Sequence, residues 1–222
     1  VETSASNGFI SKEEFLASLS PLQKQFVQNL PFELTDDQRY VVHVMNQEID
    51  LGYKQRNDLL NRFDDEGELS IQNYKLPFTM ARLLQGDVGS GKTLTALLIC
   101  LRIISWKGQC AFMAPTEILA KQHADKIAKM LECLGVRTAF LTGNIKSSGR
   151  NQLLKALKDG EIDIIIGTHA LFSANVVYND LQLAVIDEQH RFGVAQRQAI
   201  LAKGRKSENN VILEPHVLMM SA

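Results

Sequence analysis

From Met80 onward the chain alternates between short apolar runs and longer amphipathic stretches. The runs "ARLLQ" (81–85), "CAFMA" (110–114), "RTAFLT" (137–142), "IDIIIGT" (162–168), "LQLAVID" (181–187) and "HVLMMSA" (216–222) predict strands. Helical periodicity fills the gaps at 92–105, 116–134 and 147–158, and again in "GVAQRQAILA" from Gly193. Strands apolar along their whole length are buried on both faces. Their alternation with helices predicts an α/β fold: a mainly parallel sheet with helices on both faces. Such a sheet binds its ligands at the carboxyl ends of its strands.

The first third of the chain has a different rhythm. Residues 1–8, "VETSASNG", are small and polar and read as a loose tail. Ser11 to Glu14 matches a helix-start capping box. A helical stripe follows at Phe15, Leu16, Leu19, Leu22, Phe26 and Val27, interrupted at Pro21. Thr35 to Gln38 is a second capping box, opening a helix from about Asp36 to Ile49. Residues 50–78 are charge-rich and have little sustained period, and read as a surface insertion with a short helix at 54–63. The expected organisation is a linker and helix over 1–31, then one lobe over 32–222. A start at Val1 and an end in the strand-like "HVLMMSA" read as a fragment of a longer chain.

Composition narrows the function classes. At 222 residues and 45% apolar content, the chain suits one globular domain with appendages. A net charge of −1 gives no overall basic footprint, so nucleic acid would have to be held by local features. Cys100, Cys110 and Cys133 have no C-x-x-C spacing and read as small apolar residues of a reducing compartment. No apolar run reaches the length of a membrane span, and no membrane partner is expected.

The chemistry is concentrated in two stretches. "GDVGSGKT" (86–93) satisfies G-x-x-x-x-G-K-[ST], between a predicted strand and a predicted helix. Gly86, Gly89 and Gly91 let the loop, with Asp87, Val88 and Ser90, turn its backbone N–H groups toward phosphate oxygens. Lys92 would reach the β and γ phosphates, and Thr93 would hold Mg²⁺ through its hydroxyl. The second stretch, "DEQH" (187–190), sets two adjacent carboxylates at the end of an apolar strand. They are costly there unless a positive centre faces them. Asp187 suits the Mg²⁺ of a bound ATP, and Glu188 suits the water that attacks its γ-phosphate. His190 reads as a sensor behind that phosphate, or as an ordinary loop histidine.

Together these residues resemble the first RecA-like lobe of the superfamily 2 helicases. "GDVGSGKT" looks like motif I, "APTEILAKQH" (114–123) like motif Ia and "DEQH" like motif II. "LTG" (141–143) and "GTHALF" (167–172) look like the DNA-contact motifs between them, and the final "SA" like the start of motif III. "LPFELTDDQ", "RLLQGDVGSGKT", "PTEILAKQH", "GTHAL" and "VIDEQHRFGVAQR" together resemble the RecG family of bacterial branched-DNA helicases. The resemblance covers roughly residues 9–49 and 80–222. It implies a bacterial, cytoplasmic motor driven by ATP and Mg²⁺ that remodels stalled forks and Holliday junctions. Its partners would be branched double-stranded DNA and, in the same chain, a wedge domain and a second RecA-like lobe that supplies an arginine finger. Without that lobe, weak nucleotide binding and almost no hydrolysis are expected.

The resemblance also places smaller sites. Gln38 is similar to the adenine-reading glutamine of a Q motif, with Phe32 and Leu34 flanking the base; as third residue of its capping box it has a local role as well. Thr116, Thr142, Gly143, Thr168 and His169 would touch DNA phosphates, although Thr116 also serves as a helix cap. Lys146 and Arg150 read as a solvated helix face. In "RFGVAQR", Phe192 with Arg191 or Arg197 either couples DNA to the ATP site or packs under the loop. The readings left open are a transcription-repair coupling factor lobe, which would carry a second glutamate where Gln189 stands, a P-loop switch without nucleic acid, and an RNA helicase lobe. The strand-end motifs argue against the switch, and "DEQH" with "RFGVAQR" against the RNA enzyme.

Overall fold

The computed structural model describes residues 9–66, 77–143, 147–188, 198–199, 202–204, 206–208 and 211–221. The N-terminal stripe forms two short helices, α1 (Lys12–Ser18) and α2 (Pro21–Gln28). Pro21 is the first residue of α2 rather than a break within one helix, the position where a missing N–H costs nothing. Ser20 and Gln23 form a reciprocal cap there, as Ser11 and Glu14 do for α1.

Helix α3 runs from Asp36 to Glu66, 31 residues without a break. The periodicity predicts an end near Ile49 and a surface insertion from residue 50. The helix continues because its later turns dock through single polar contacts, which leave no apolar period to read. Asp50 accepts from Arg102 Nε at 2.8 Å and from Trp106 Nε1 at 3.2 Å. Tyr53 stacks on Trp106 with ring centroids 4.2 Å apart. Gln55 accepts from the Phe78 N–H at 2.7 Å, and Arg56 reaches Asp180 at 3.5 Å. Gly52 lies under the Phe78 carbonyl and the His216 ring, where a Cβ would come within 2.5 Å of that oxygen. A helix polar on most sides is held by such partners rather than by one apolar stripe.

Strands β1 (Ala81–Gln85), β2 (Gln109–Met113), β3 (Thr138–Leu141), β4 (Ile164–Gly167), β5 (Leu181–Ile186) and β8 (His216–Ser221) form one sheet in the order β1-β8-β5-β2-β4-β3. Every pairing in it is parallel. Strands β6 (Lys206–Glu208) and β7 (Val211–Leu213) form a separate antiparallel pair that the periodicity did not predict. Alternate side chains of the large sheet enter two cores. Cys110, Phe112, Ile164, Ile166, Leu183 and Val185 face the core shared with α1, α2, α3 and the helices α4 (Lys92–Ser105) and α5 (Glu117–Leu131). Ala111, Met113, Ile165, Ala184 and Ile186 face the other, beside α6 (Ser147–Lys158). Helix α4 is buried on nearly every side, from Leu94 to Ile103. Each of its fully enclosed leucines and isoleucines contributes about 1.5–3 kcal/mol by burial, which fixes the loop ahead of it against the sheet.

Candidate functional site

All strands of the large sheet point the same way, so the ends of β1, β8 and β5 lie side by side. The loop 86–93 leaves β1 on that edge. Its first N–H, from Gly86, donates to the Ser221 carbonyl at the end of β8 at 3.3 Å. Gly89 and Gly91 both have φ of +86°, a left-handed conformation that a side chain disfavours and that turns successive N–H groups to one side. Gly91 is constrained twice, since a Cβ there would sit 2.3 Å from Gln38 Nε2. Lys92 opens α4, and its ammonium is curled back to the Gly86 carbonyl and to the Asp87 carbonyl at 2.9 Å. A cation held by carbonyl oxygens of its own loop is placed where phosphate oxygens could take their place. Thr93 follows on the first turn of α4, half-buried, while Asp87, Val88 and Ser90 stand exposed.

Gln38 performs its local role and a longer one. Its Oε1 accepts from the Thr35 N–H at 3.0 Å, completing the capping box, and its Nε2 donates to the Ser90 carbonyl at 2.9 Å. The glutamine thereby ties the start of α3 to the phosphate loop. Phe32 is half-exposed and borders a cleft of about 380 Å³ with Leu34 and Arg39. No residue of the loop lines that cleft.

Asp187 follows β5 directly. Its N–H donates to the Met113 carbonyl at 2.8 Å, extending the β2–β5 ladder one residue beyond the strand. The chain then turns sharply: Glu188 has φ of +53°, and its N–H donates to Asp187 Oδ1 at 3.1 Å. A left-handed glutamate is uncommon and costs about 1–3 kcal/mol.

The other Asp187 oxygen has a partner that sequence reasoning missed. His123 Nε2 lies 2.7 Å from Asp187 Oδ2, and both side chains are largely buried. The imidazole packs against Phe112, with ring centroids 4.9 Å apart. A signal was available. His123 stands three residues after Ala120 and four before Ile127, on the buried stripe of α5. A polar residue on a buried stripe needs a partner.

The donor set suits Mg²⁺. Thr93 and Asp187 offer hard oxygens, and the described residues hold no cluster of three or more His, Cys, Asp or Glu side chains for a dedicated cage. Mg²⁺ is ordinarily held by one or two protein oxygens, with water and phosphate completing its octahedron.

The other half of the edge, the ends of β2, β4 and β3, carries the remaining candidates. Thr116 caps α5, its hydroxyl accepting from the Leu119 N–H at 3.3 Å. Glu117 accepts from the Gly143 N–H at 3.0 Å, and Arg150 donates to the Thr142 carbonyl at 3.4 Å. Thr168 is buried and His169 is exposed. The candidates Lys146, Gln189, His190, Arg191, Phe192 and Arg197 lie outside the described residues.

The DEAD/DEAH box helicase family model matches residues 69–222. The chain belongs to this family. It is 50% identical over 207 residues to an ATP-dependent DNA helicase RecG of Treponema pallidum, covering 93% of the chain and 26% of that protein. The RecG of Pasteurella multocida is 40% identical over the same share of each. A solved structure of RecG bound to a three-way DNA junction matches 90% of the chain and 22% of its own length, with 35% identity and a TM-score of 0.65. The resemblance carried by the motifs is thus borne out, and so is the parallel-sheet helicase lobe. The chain spans about a quarter of the length of the RecG relatives it matches. Among its described residues, no helix is long and apolar enough to cross a membrane.

Proposed function

We propose that this chain is the ATP-binding motor lobe of a RecG-type DNA helicase, which remodels branched DNA in recombination and repair. The observation that carries the reading is the near-continuous similarity to RecG, 50% identity across 93% of the chain, over a fold that brings the phosphate loop and Asp187 to one sheet edge. Residues 32–222 form the lobe, and 1–31 lead into it, with Phe15 and Phe26 sharing its core. In the full-length protein a wedge domain and a second RecA-like lobe complete the motor, and it works in the bacterial cytoplasm.

Loop N–H groups beyond Gly86, those of Gly89 and Gly91 among them, cradle the ATP phosphates, and Lys92 exchanges its loop carbonyls for β and γ oxygens. Thr93 and Asp187 hold Mg²⁺, which neutralises charge on the phosphates when bound. Glu188 orients the attacking water and accepts its proton, and His190 is assigned the role of γ-phosphate sensor from the motif alone. Gln38 and Phe32 read the adenine: the Gln38 amide keeps one N–H and one lone pair beyond those already used. Thr116, Thr142, Gly143, Thr168 and His169 form the DNA-facing half of the edge.

The test is the ATPase rate of the full-length protein with no nucleic acid, single-stranded RNA, linear duplex or a forked DNA junction. Strongest stimulation by the fork is expected. Equal turnover in all four, or preference for RNA, would overturn the assignment of the track while leaving the ATP site in place.

A further inference from the structure

Helix α5 touches both halves of the sheet edge. At its first turn Glu117 holds the Gly143 N–H at 3.0 Å, among the DNA-facing candidates. Less than two turns later His123 meets Asp187 at 2.7 Å. From these contacts we propose that His123 is a positioning residue for Asp187. It fixes the rotamer of the Mg²⁺ carboxylate and ties it to the helix that Thr116 caps at the DNA rim. The inference rests on the proposed role of Asp187.

The chemistry defines the contact. An ionised carboxylate only accepts, so His123 Nε2 must carry the proton and donate it. That N–H takes one lone-pair site on Oδ2, and the Glu188 N–H takes one on Oδ1. A carboxylate has about four such sites, so each oxygen keeps one for a metal-bound water. The two N–H donors therefore orient the group without closing it. Phe112 backs the imidazole and limits its rotation. Hydrogen bonds to a ligating carboxylate matter at about the 10–100-fold level in metal affinity or activity. Because α5 carries both contacts, a shift of its first turn by DNA would be felt at the Asp187 side chain.

The test uses the full-length protein and two substitutions of similar bulk. His123→Phe keeps a ring against Phe112 and removes the donor; His123→Gln keeps an amide donor and loses the ring. Two readouts are taken: the Mg²⁺ concentration at half-maximal binding of a fluorescent ADP analogue, and fork-stimulated ATPase. Expected is a rise of about tenfold or more in the Mg²⁺ requirement for His123→Phe, with substantial recovery in His123→Gln. A purely packing role predicts the reverse order, with Phe tolerated and Gln impaired, and that order would overturn the proposal. Asp187→Asn is the control. If it changes the Mg²⁺ requirement and His123→Phe does not, the positioning role falls and the reading of Asp187 stands. If Asp187→Asn leaves that requirement unchanged, both fall together.

Discussion

The phosphate loop and the second half of α3 use the same residue types to opposite ends. Both contain a glycine held against a polar neighbour: Gly91 against the Gln38 amide, and Gly52 against the Phe78 carbonyl and the His216 ring. In the loop, glycine supplies a left-handed backbone on an exposed surface, and Lys92 is held only by carbonyls that a ligand could replace. Along α3, glycine supplies close approach in a helix, and Asp50, Gln55 and Arg56 each have a protein partner from a distant part of the chain. The difference separates an exposed loop whose cation is held by its own backbone from a seam whose groups join distant parts of the chain. Changes to the first should alter turnover with little change in stability, and changes to the second the reverse.

The strongest test of that division is Lys92→Ala. Turnover of the full-length protein should fall by at least about a hundredfold, the scale for removing a transition-state charge partner, while the melting temperature stays near wild type. Glu188→Gln should lower turnover by about 10²–10⁴-fold and retain ATP binding, measured by single-turnover hydrolysis beside nucleotide titration. Normal hydrolysis by this variant would move the role of Glu188 elsewhere.

On the seam, His216 provides an acid test. The Met80 N–H donates to its Nδ1 at 2.9 Å, which requires the neutral ring. Burial, more than any nearby charge, pushes its pKa from 6.5 down to about 4. Above pH 6.5 both folded and unfolded states are neutral at this site. As pH falls from 6.5 toward 4, the unfolded chain gains a proton that the folded one refuses, and stability drops by on the order of 3 kcal/mol. Urea midpoints of the 222-residue chain between pH 7 and 4.5 should show this slope, and His216→Gln should flatten it. Gly52→Ala should destabilise by about 1–3 kcal/mol through overpacking, although the same exchange in an open helix would add about 1 kcal/mol. Stabilisation there would mean that Phe78 and His216 yield easily. Gln38→Ala straddles the two regions: about 1 kcal/mol lost with the cap, and a severalfold rise in the KM for ATP if its tie to Ser90 presets the loop.

Legibility followed the same division. The strands of the large sheet were readable because Ile164–Gly167, and Leu181–Ile186 apart from Gln182, are apolar along their length, the mark of parallel strands covered on both faces. "GDVGSGKT" was readable because the loop's geometry is local: its glycines and the helix start that follows lie within a few residues of one another. The later turns of α3 were misread because Asp50, Tyr53 and Arg56 look like a solvated face until Arg102, Trp106 and Asp180 are brought to them. His123 differs in lying on a buried stripe, which signals a partner, but that partner lies 64 positions away.

By itself, then, the sequence determined an α/β sheet with a phosphate-loop pattern at one strand end, through periodicity and a loop whose requirements are met by adjacent residues. Only the tertiary structure decided that β8 inserts between β1 and β5, that α3 runs unbroken to Glu66, and that α5 joins Asp187 to the opposite half of the edge. These depend on pairings between distant residues. A polar side chain, even one on a buried stripe, carries no local sign of which distant group will be its partner, and only the completed packing assigns it one.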